Sequence, residues 1–125
     1  TDPTDNFGNI GVLGSASLNA NFLTQKISAD VKLGINNQIW QANDNNIVLN
    51  TDGSFSTNNM LVTAIDSSGV EGINSAGSAA GQLVQPLESV TNIPQGAALG
   101  YHLESNLNGV NTHVSGVAAF EKENK

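Results

Sequence analysis

From Gly11 to Ile35 the chain alternates apolar and polar residues almost without a break, and no other feature restricts its fold as much. Val12, Gly14, Ala16, Leu18, Ala20 and Phe22 fall on one face of an extended segment, while Leu13, Ser15, Ser17, Asn19 and Asn21 fall on the other. Side chains of a strand point alternately to its two faces, so a period of two reads as a half-buried β-strand. After Thr24-Gln25 the pattern resumes as Ile27, Ala29, Val31, Leu33 and Ile35, with Lys26, Ser28, Asp30 and Lys32 opposite.

A two-residue loop at Thr24-Gln25 predicts an antiparallel hairpin that sets Phe22 against Ile27, Ala20 against Ala29, Leu18 against Val31 and Ala16 against Leu33. A slip of one residue would turn Ser and Asn inward, which specifies the buried face. The construction repeats at Asn36-Asn37, residues that tolerate the positive φ of a type I′ turn; it places Trp40 opposite Leu33 and Ala42 opposite Val31, so Trp40 is predicted to be a core residue. Near the C-terminus, a turn at Asn108-Gly109 pairs Leu103 with Val114, Tyr101 with Gly116 and Leu99 with Ala118. A large residue then lies against a small one, as the interior of a narrow barrel requires.

Between these hairpins the signals are shorter. Asn43-Asp44-Asn45 reads as a turn, Ile47-Val48-Leu49 as a short strand, and Asp52-Gly53 as the turn before Phe55. Residues 60–65 are apolar on both faces, Met60, Val62 and Ala64 alternating with Leu61, Thr63 and Ile65, so a cover is expected on the outer side. Residues 67–81 are rich in Gly, Ser and Ala and are predicted to form a mobile loop leading into a strand over 79–84. A second loop is predicted over 85–95, around Pro86 and Pro94, with at most one helical turn near 87–90. The expected organisation is an N-terminal arm (1–10), one all-β domain (11–121) and a short tail (122–125). An antiparallel β-barrel of about eight strands fits these hairpins, and so does a β-sandwich with an open edge.

Charge narrows the function. Eleven acids face four Lys and no Arg, for a net charge of −7. Nucleic-acid binding relies on cations to neutralise phosphates, and an anionic membrane surface attracts cations, so both partners are disfavoured. No apolar run approaches the roughly 20 residues of a membrane-spanning helix, so membrane insertion is not expected. There is no Cys, hence neither a disulfide nor a thiolate site. An acidic surface dominated by Asn, Ser, Thr and Gln fits an exported module, extracellular or at the cell surface with the periplasm as a further compartment, its secretory signal removed before residue 1.

His102 and His113 are the only histidines. The final hairpin points both outward, with Glu104 opposite His113 and His102 diagonal to it. Two imidazoles and a carboxylate are ligands suited to a divalent metal, but no fourth ligand accompanies them; the default is a solvated pair, and no metal or cofactor is assigned. For haem, either His or Tyr101 is the right axial type, although Tyr101 is predicted inward. Asn43, Asp44, Asn45, Asn46, Asn50 and Asp52 gather oxygen ligands, yet their spacing does not match a calcium loop. Gly8-x-x-Gly11-x-x-Gly14 precedes a strand and is no dinucleotide fingerprint. Asp66 and Glu71 form a conceivable acid/base pair across a loop, but there is no nucleophile elbow, Cys nucleophile, Arg clamp or H-E-x-x-H helix. The chain is not expected to be an enzyme.

The segments Gly81-Gln82-Leu83-Val84-Gln85-Pro86, Gly96-Ala97-Ala98-Leu99-Gly100-Tyr101 and Gly116-Val117-Ala118-Ala119-Phe120 resemble the closing strands of the transferrin-binding-protein-type β-barrel, found in bacterial surface lipoproteins, factor-H-binding proteins and haemophilins. The opening hairpin is similar to that family's first barrel strands, so the resemblance spans about residues 11–121. It implies an eight-stranded barrel and a non-catalytic bacterial surface or secreted module that binds a protein partner or serves as a scaffold. Two further expectations stand beside this: a fibre subunit that self-associates by adding residues 1–11 to a neighbour's sheet edge, and a haem or iron carrier.

Overall fold

A computed structural model describes residues 2–21, 23–84 and 96–121. Among these residues eight antiparallel strands make up the fold: β1 (Thr4–Asp5), β2 (Val12–Asn21), β3 (Lys26–Ile35), β4 (Gln38–Val48), β5 (Ser54–Ile65), β6 (Ile73–Val84), β7 (Gly96–Leu107) and β8 (Val110–Glu121). They form one sheet in the order β1-β8-β7-β6-β5-β4-β3-β2, curled into a half-barrel. The all-β, barrel-like architecture expected from the alternation is therefore present. Among the described residues there is no helix, and so none long and apolar enough to cross a membrane.

Two hairpins adopt the predicted register. Leu33 pairs with Trp40 and Val31 with Ala42 around Asn36 (φ 50°) and Asn37 (φ 61°), both in the left-handed region that a type I′ turn demands. Leu103 pairs with Val114, Tyr101 with Gly116 and Leu99 with Ala118 around Asn108 (φ 54°) and Gly109 (φ 82°). The first hairpin keeps its predicted face but not its register. Ala20 lies opposite Ile27, Leu18 opposite Ala29 and Ala16 opposite Val31, because four residues rather than two connect Asn21 to Lys26. The Asn21 side chain accepts from the amides of Leu23 and Thr24 and so opens a wider Asx-type turn. Phe22, whose pairing was also predicted, lies outside the described residues.

Bulges account for the remaining differences. Leu13 pairs with Leu33 and Ser15 with Lys32, leaving Gly14 as an extra residue; beyond it the alternation inverts, so that Leu13 faces the core and Val12, predicted inward, faces solvent. Asn43-Asp44-Asn45 is not a turn but lies inside β4, where Asn45 and Asn46 together oppose Ser28. Asp44 supports that bulge by accepting from the Asn46 amide, and the inversion is what buries Ile47 and Leu49 while exposing Val48. The predicted loop over 67–81 is mostly strand: β6 begins at Ile73, with a bulge near Asn74 (φ 52°). Its Gly and Ala residues are small because large residues of β5 and β7 occupy the space above them. The predicted loop over 85–95, including the helical turn, and the tail lie outside the described residues.

Inside the curl, Trp40, Phe55, Ile27, Leu33, Ile47, Leu99, Leu103, Val31 and Val114 form the fully buried core. Tyr101 is inward as predicted, 4% exposed, and its hydroxyl has no hydrogen-bond partner among the described residues. Burial raises its pKa above 10.0 because the phenolate loses hydration. Stability from this residue is therefore present below pH 10 and declines as pH rises through the folded-state value, since the unfolded chain ionises first. Tyr101→Phe removes both the unpaired hydroxyl and the titration. It is expected to stabilise the fold by about 1 kcal/mol and to flatten the alkaline limb of a stability–pH curve, measured by urea unfolding from pH 7 to 11.

The arm is held to the last strand. Thr4 and Asp5 pair with Ser115 and Val114 of β8, and the Gly11 amide donates to the Pro3 carbonyl. Residues 3–11 thus bridge the start of β2 and the edge of β8 at one end of the seam. Asp5 folds this arm by accepting from the amides of Phe7 and Asn9 and from the Asn9 side chain. Partial desolvation pushes its carboxyl up, but the bonds from Asn9 and Phe7 outweigh it and hold the carboxyl below its usual range.

Candidate functional site

Two surface features stand out from the sheet. The first lies on the outer face of the β7–β8 hairpin. Tyr101, Leu103, Thr112 and Val114 point inward, so alternation sends His102, Glu104 and His113 outward. Glu104 stands directly opposite His113, as the Asn108-Gly109 register predicted. His113 Nδ1 lies 3.4 Å from Glu104 Oε2 and 3.3 Å from His102 Nε2, with the two rings 5.4 Å apart between centroids. The three potential ligand atoms all fall within 4.8 Å of one another. The side chains of His113 and Glu104 are 40% and 47% exposed. A shallow cleft of about 150 Å³ beside them is lined by Asn58, Ala76, Gly77, Ser78, His102 and Glu104.

The backbone under His113 is fixed by the arm. Asn6 donates its amide to the His113 carbonyl, and its side-chain oxygen accepts from the His113 amide. The Asn6 side-chain nitrogen reaches the Asn111 carbonyl. Tyr101, on the same strand as His102, faces the core, so the inward phenol and the outward imidazoles do not converge on one ligand.

The second feature is a row of exposed aliphatics across four strands. Val12 pairs with Gly34, Gly34 with Ile39, and Ile39 with Ile65. Val12 is 69% exposed, Ile39 55% and Ile65 38%. Val70 and Ile73, also exposed, continue the apolar surface at the same end of the sheet. The expectation that residues 60–65 carry an outward apolar face holds for Leu61 and Ile65, and nothing among the described residues covers them. Sequence reasoning missed the row as a whole because it set Val12 inward.

Of the carboxylates singled out for other chemistry, Asp44, Asp52 and Asp66 accept hydrogen bonds that shape turns and bulges. Asp66 accepts from the amides of Ser68 and Val70 and, at 2.6 Å, from the Asn108 side chain. It thereby ties the β5–β6 loop to the β7–β8 turn. The Val70 amide, then Asn108, hold its carboxyl below the usual range. The stabilisation is thus present above the ordinary carboxylate pKa and is lost as pH falls through the lower folded value. Asp66→Ala is expected to speed amide exchange at Ser68 and Val70 several-fold while leaving the β7 amides unchanged. Of the oxygen-rich stretch, Asp44 takes Thr57 Oγ1 and the Asn46 amide, and Asp52 takes the amide and hydroxyl of Ser54.

Comparison with protein-family models, curated proteins and solved structures returns no match.

Proposed function

We propose that this chain is a non-catalytic binding or scaffolding module of an exported bacterial protein, and that it engages a protein partner through the apolar end of the half-barrel. One observation carries the reading. Val12, Ile39 and Ile65 stand exposed in a single cross-strand row, with Gly34 as a groove among them. Aligned aliphatics on a sheet face cost solubility unless something binds them. Asp66 and Glu71 lie in the adjoining loop, and the chain as a whole has a net charge of −7. The complementary surface is therefore apolar at its centre and basic at its rim.

Burying an aliphatic side chain in an interface is worth about 1.5–3 kcal/mol, so placing two carboxylates in this row should weaken binding at least tenfold. The test immobilises the wild-type chain and the Ile39→Asp/Ile65→Asp variant and exposes both to the extracellular proteins of the producing culture. A basic protein held by the wild type and lost from the variant supports the reading. Equal retention by both, or retention by neither, overturns it.

A second reading rests on the seam. Among the described residues β2 stands at the end of the sheet, hydrogen-bonded to β3 alone. A terminal strand is a template for strand addition, which supports a fibre subunit in which the arm of one chain pairs with the β2 edge of the next. Electron microscopy and sizing at high concentration test this; monomers throughout would exclude it.

A further inference from the structure

We infer that His102, Glu104 and His113 form a three-ligand site for a divalent transition cation of the zinc class, placed on the outer face of the β7–β8 hairpin and independent of the apolar row. Sequence pattern alone supports a solvated pair; the side-chain geometry goes further. A zinc ion bound tetrahedrally to imidazole nitrogen and carboxylate oxygen has bonds of about 2.0–2.2 Å, which sets neighbouring ligand atoms roughly 3.3–3.6 Å apart. His113 Nδ1 lies 3.3 Å from His102 Nε2 and 3.4 Å from Glu104 Oε2. Both separations match edges of such a tetrahedron; the third pair, His102 with Glu104, lies within 4.8 Å, and a rotation of the exposed Glu104 side chain closes the set.

Hydrogen bonding alone does not satisfy this arrangement as well. A neutral imidazole nitrogen either donates or accepts. If His113 Nδ1 carries a proton, it donates to Glu104 and presents that proton to His102 in competition; if it carries none, it accepts from His102 and faces the carboxylate lone pair to lone pair. A cation placed among the three takes one lone pair from each. Two imidazoles and one carboxylate favour zinc, nickel or copper over magnesium or calcium, which prefer all-oxygen sets. A three-ligand site on an open surface leaves its remaining position to water.

The scaffold is rigid where it matters. Glu104 and His113 sit on directly paired positions of a hairpin closed by a two-residue turn, and Asn6 bonds the His113 main chain on both sides. Ligands mounted on strands keep their separation better than ligands on loops.

Titration of the full chain with zinc chloride, followed by calorimetry, tests the site, with magnesium chloride as the probe for unspecific attraction to an acidic protein. One zinc per chain is expected and no comparable magnesium binding. His102→Ala and His113→Ala should each weaken zinc at least tenfold, the double variant should abolish it, and Glu71→Gln should leave it intact. All three positions are at the surface, so far-UV circular dichroism should be unchanged. Cobalt should give the intense visible band of a four-coordinate centre in the wild type and lose it in the double variant. Zinc binding that survives the double variant, or no stoichiometric binding by the wild type, overturns the assignment. Neither result bears on the apolar row, which the Ile39→Asp/Ile65→Asp comparison tests separately.

Discussion

Trp40→Ala is expected to cost about 3–5 kcal/mol, the range for removing a buried aromatic from a packed core. That is a large share of the roughly 5–15 kcal/mol that holds a domain of this size together. Trp40 is fully buried between Leu33 on β3 and Ala64 on β5, with Leu13 beyond Leu33 in the same cross-strand row. The small Ala64 makes room for the indole and is itself too small to fill the space left behind. The indole nitrogen also donates to Gln38 Oε1 at 3.0 Å, and that half-buried acceptor would lose its partner. Thermal unfolding of the variant should fall by about 10–20 °C. Trp40→Phe keeps most of the volume and should lose about half as much. Equal stability of wild type and Trp40→Ala would show that the indole does not fill the core.

Why Trp40 was legible and other features were not follows from turn length. Asn36-Asn37 and Asn108-Gly109 are two-residue turns whose chemistry demands positive φ, and such a turn fixes every pair along its hairpin. Trp40, Tyr101 and the relation between Glu104 and His113 could thus be placed from sequence. Thr24-Gln25 carries no comparable demand. The turn is set instead by the side chain of Asn21, a residue that alternation alone places outward on a strand. Each bulge then reverses the alternation locally: Gly14 turns Val12 outward, Asn45-Asn46 turns Ile47 inward, and Asn58-Asn59 separates the pairs Thr57–Ala79 and Met60–Gly77.

Most of these bulges contain Asn. The Asn-rich composition signals turns, but it also marks the places where strands bend, because Asn accepts backbone conformations that β-branched residues resist. Bulges increase twist and curl, which is how a sheet of this length becomes a half-barrel. The metal-ligand geometry was legible in register but not in distance, since rotamers decide whether facing imidazoles approach to 3.3 Å. The apolar row was hidden because it needs Gly14 to be recognised as a bulge rather than as one more small residue on the buried face.

Gly81→Ala should be a severely damaging single methyl, costing about 3 kcal/mol, the upper part of the range for overpacking. Gly81 pairs with Phe55 on one side and Leu99 on the other. A Cβ there would fall on the Ala98 carbonyl oxygen and on the edge of the Phe55 ring. A flexible side chain could move aside, but a strand carbonyl within a ladder cannot do so without giving up its pairing. Gly100→Ala is the control: it sits on the neighbouring strand opposite Ala80, and its Cβ would meet nothing closer than the Ala80 carbonyl at 3.8 Å. That substitution should be neutral or stabilising by a few tenths of a kcal/mol, because it removes the conformational freedom of a strand glycine. Combining Gly81→Ala with Phe55→Leu separates the two clashes. If the ring is the main obstacle, the methyl will cost about 1 kcal/mol less in the Phe55→Leu background. Should the cost be the same in both backgrounds, the carbonyl is the obstacle. Should Gly81→Ala behave like Gly100→Ala, the small-against-large packing of β5, β6 and β7 is wrong, and with it the inward curl that carries the outer-face ligands on β7 and β8.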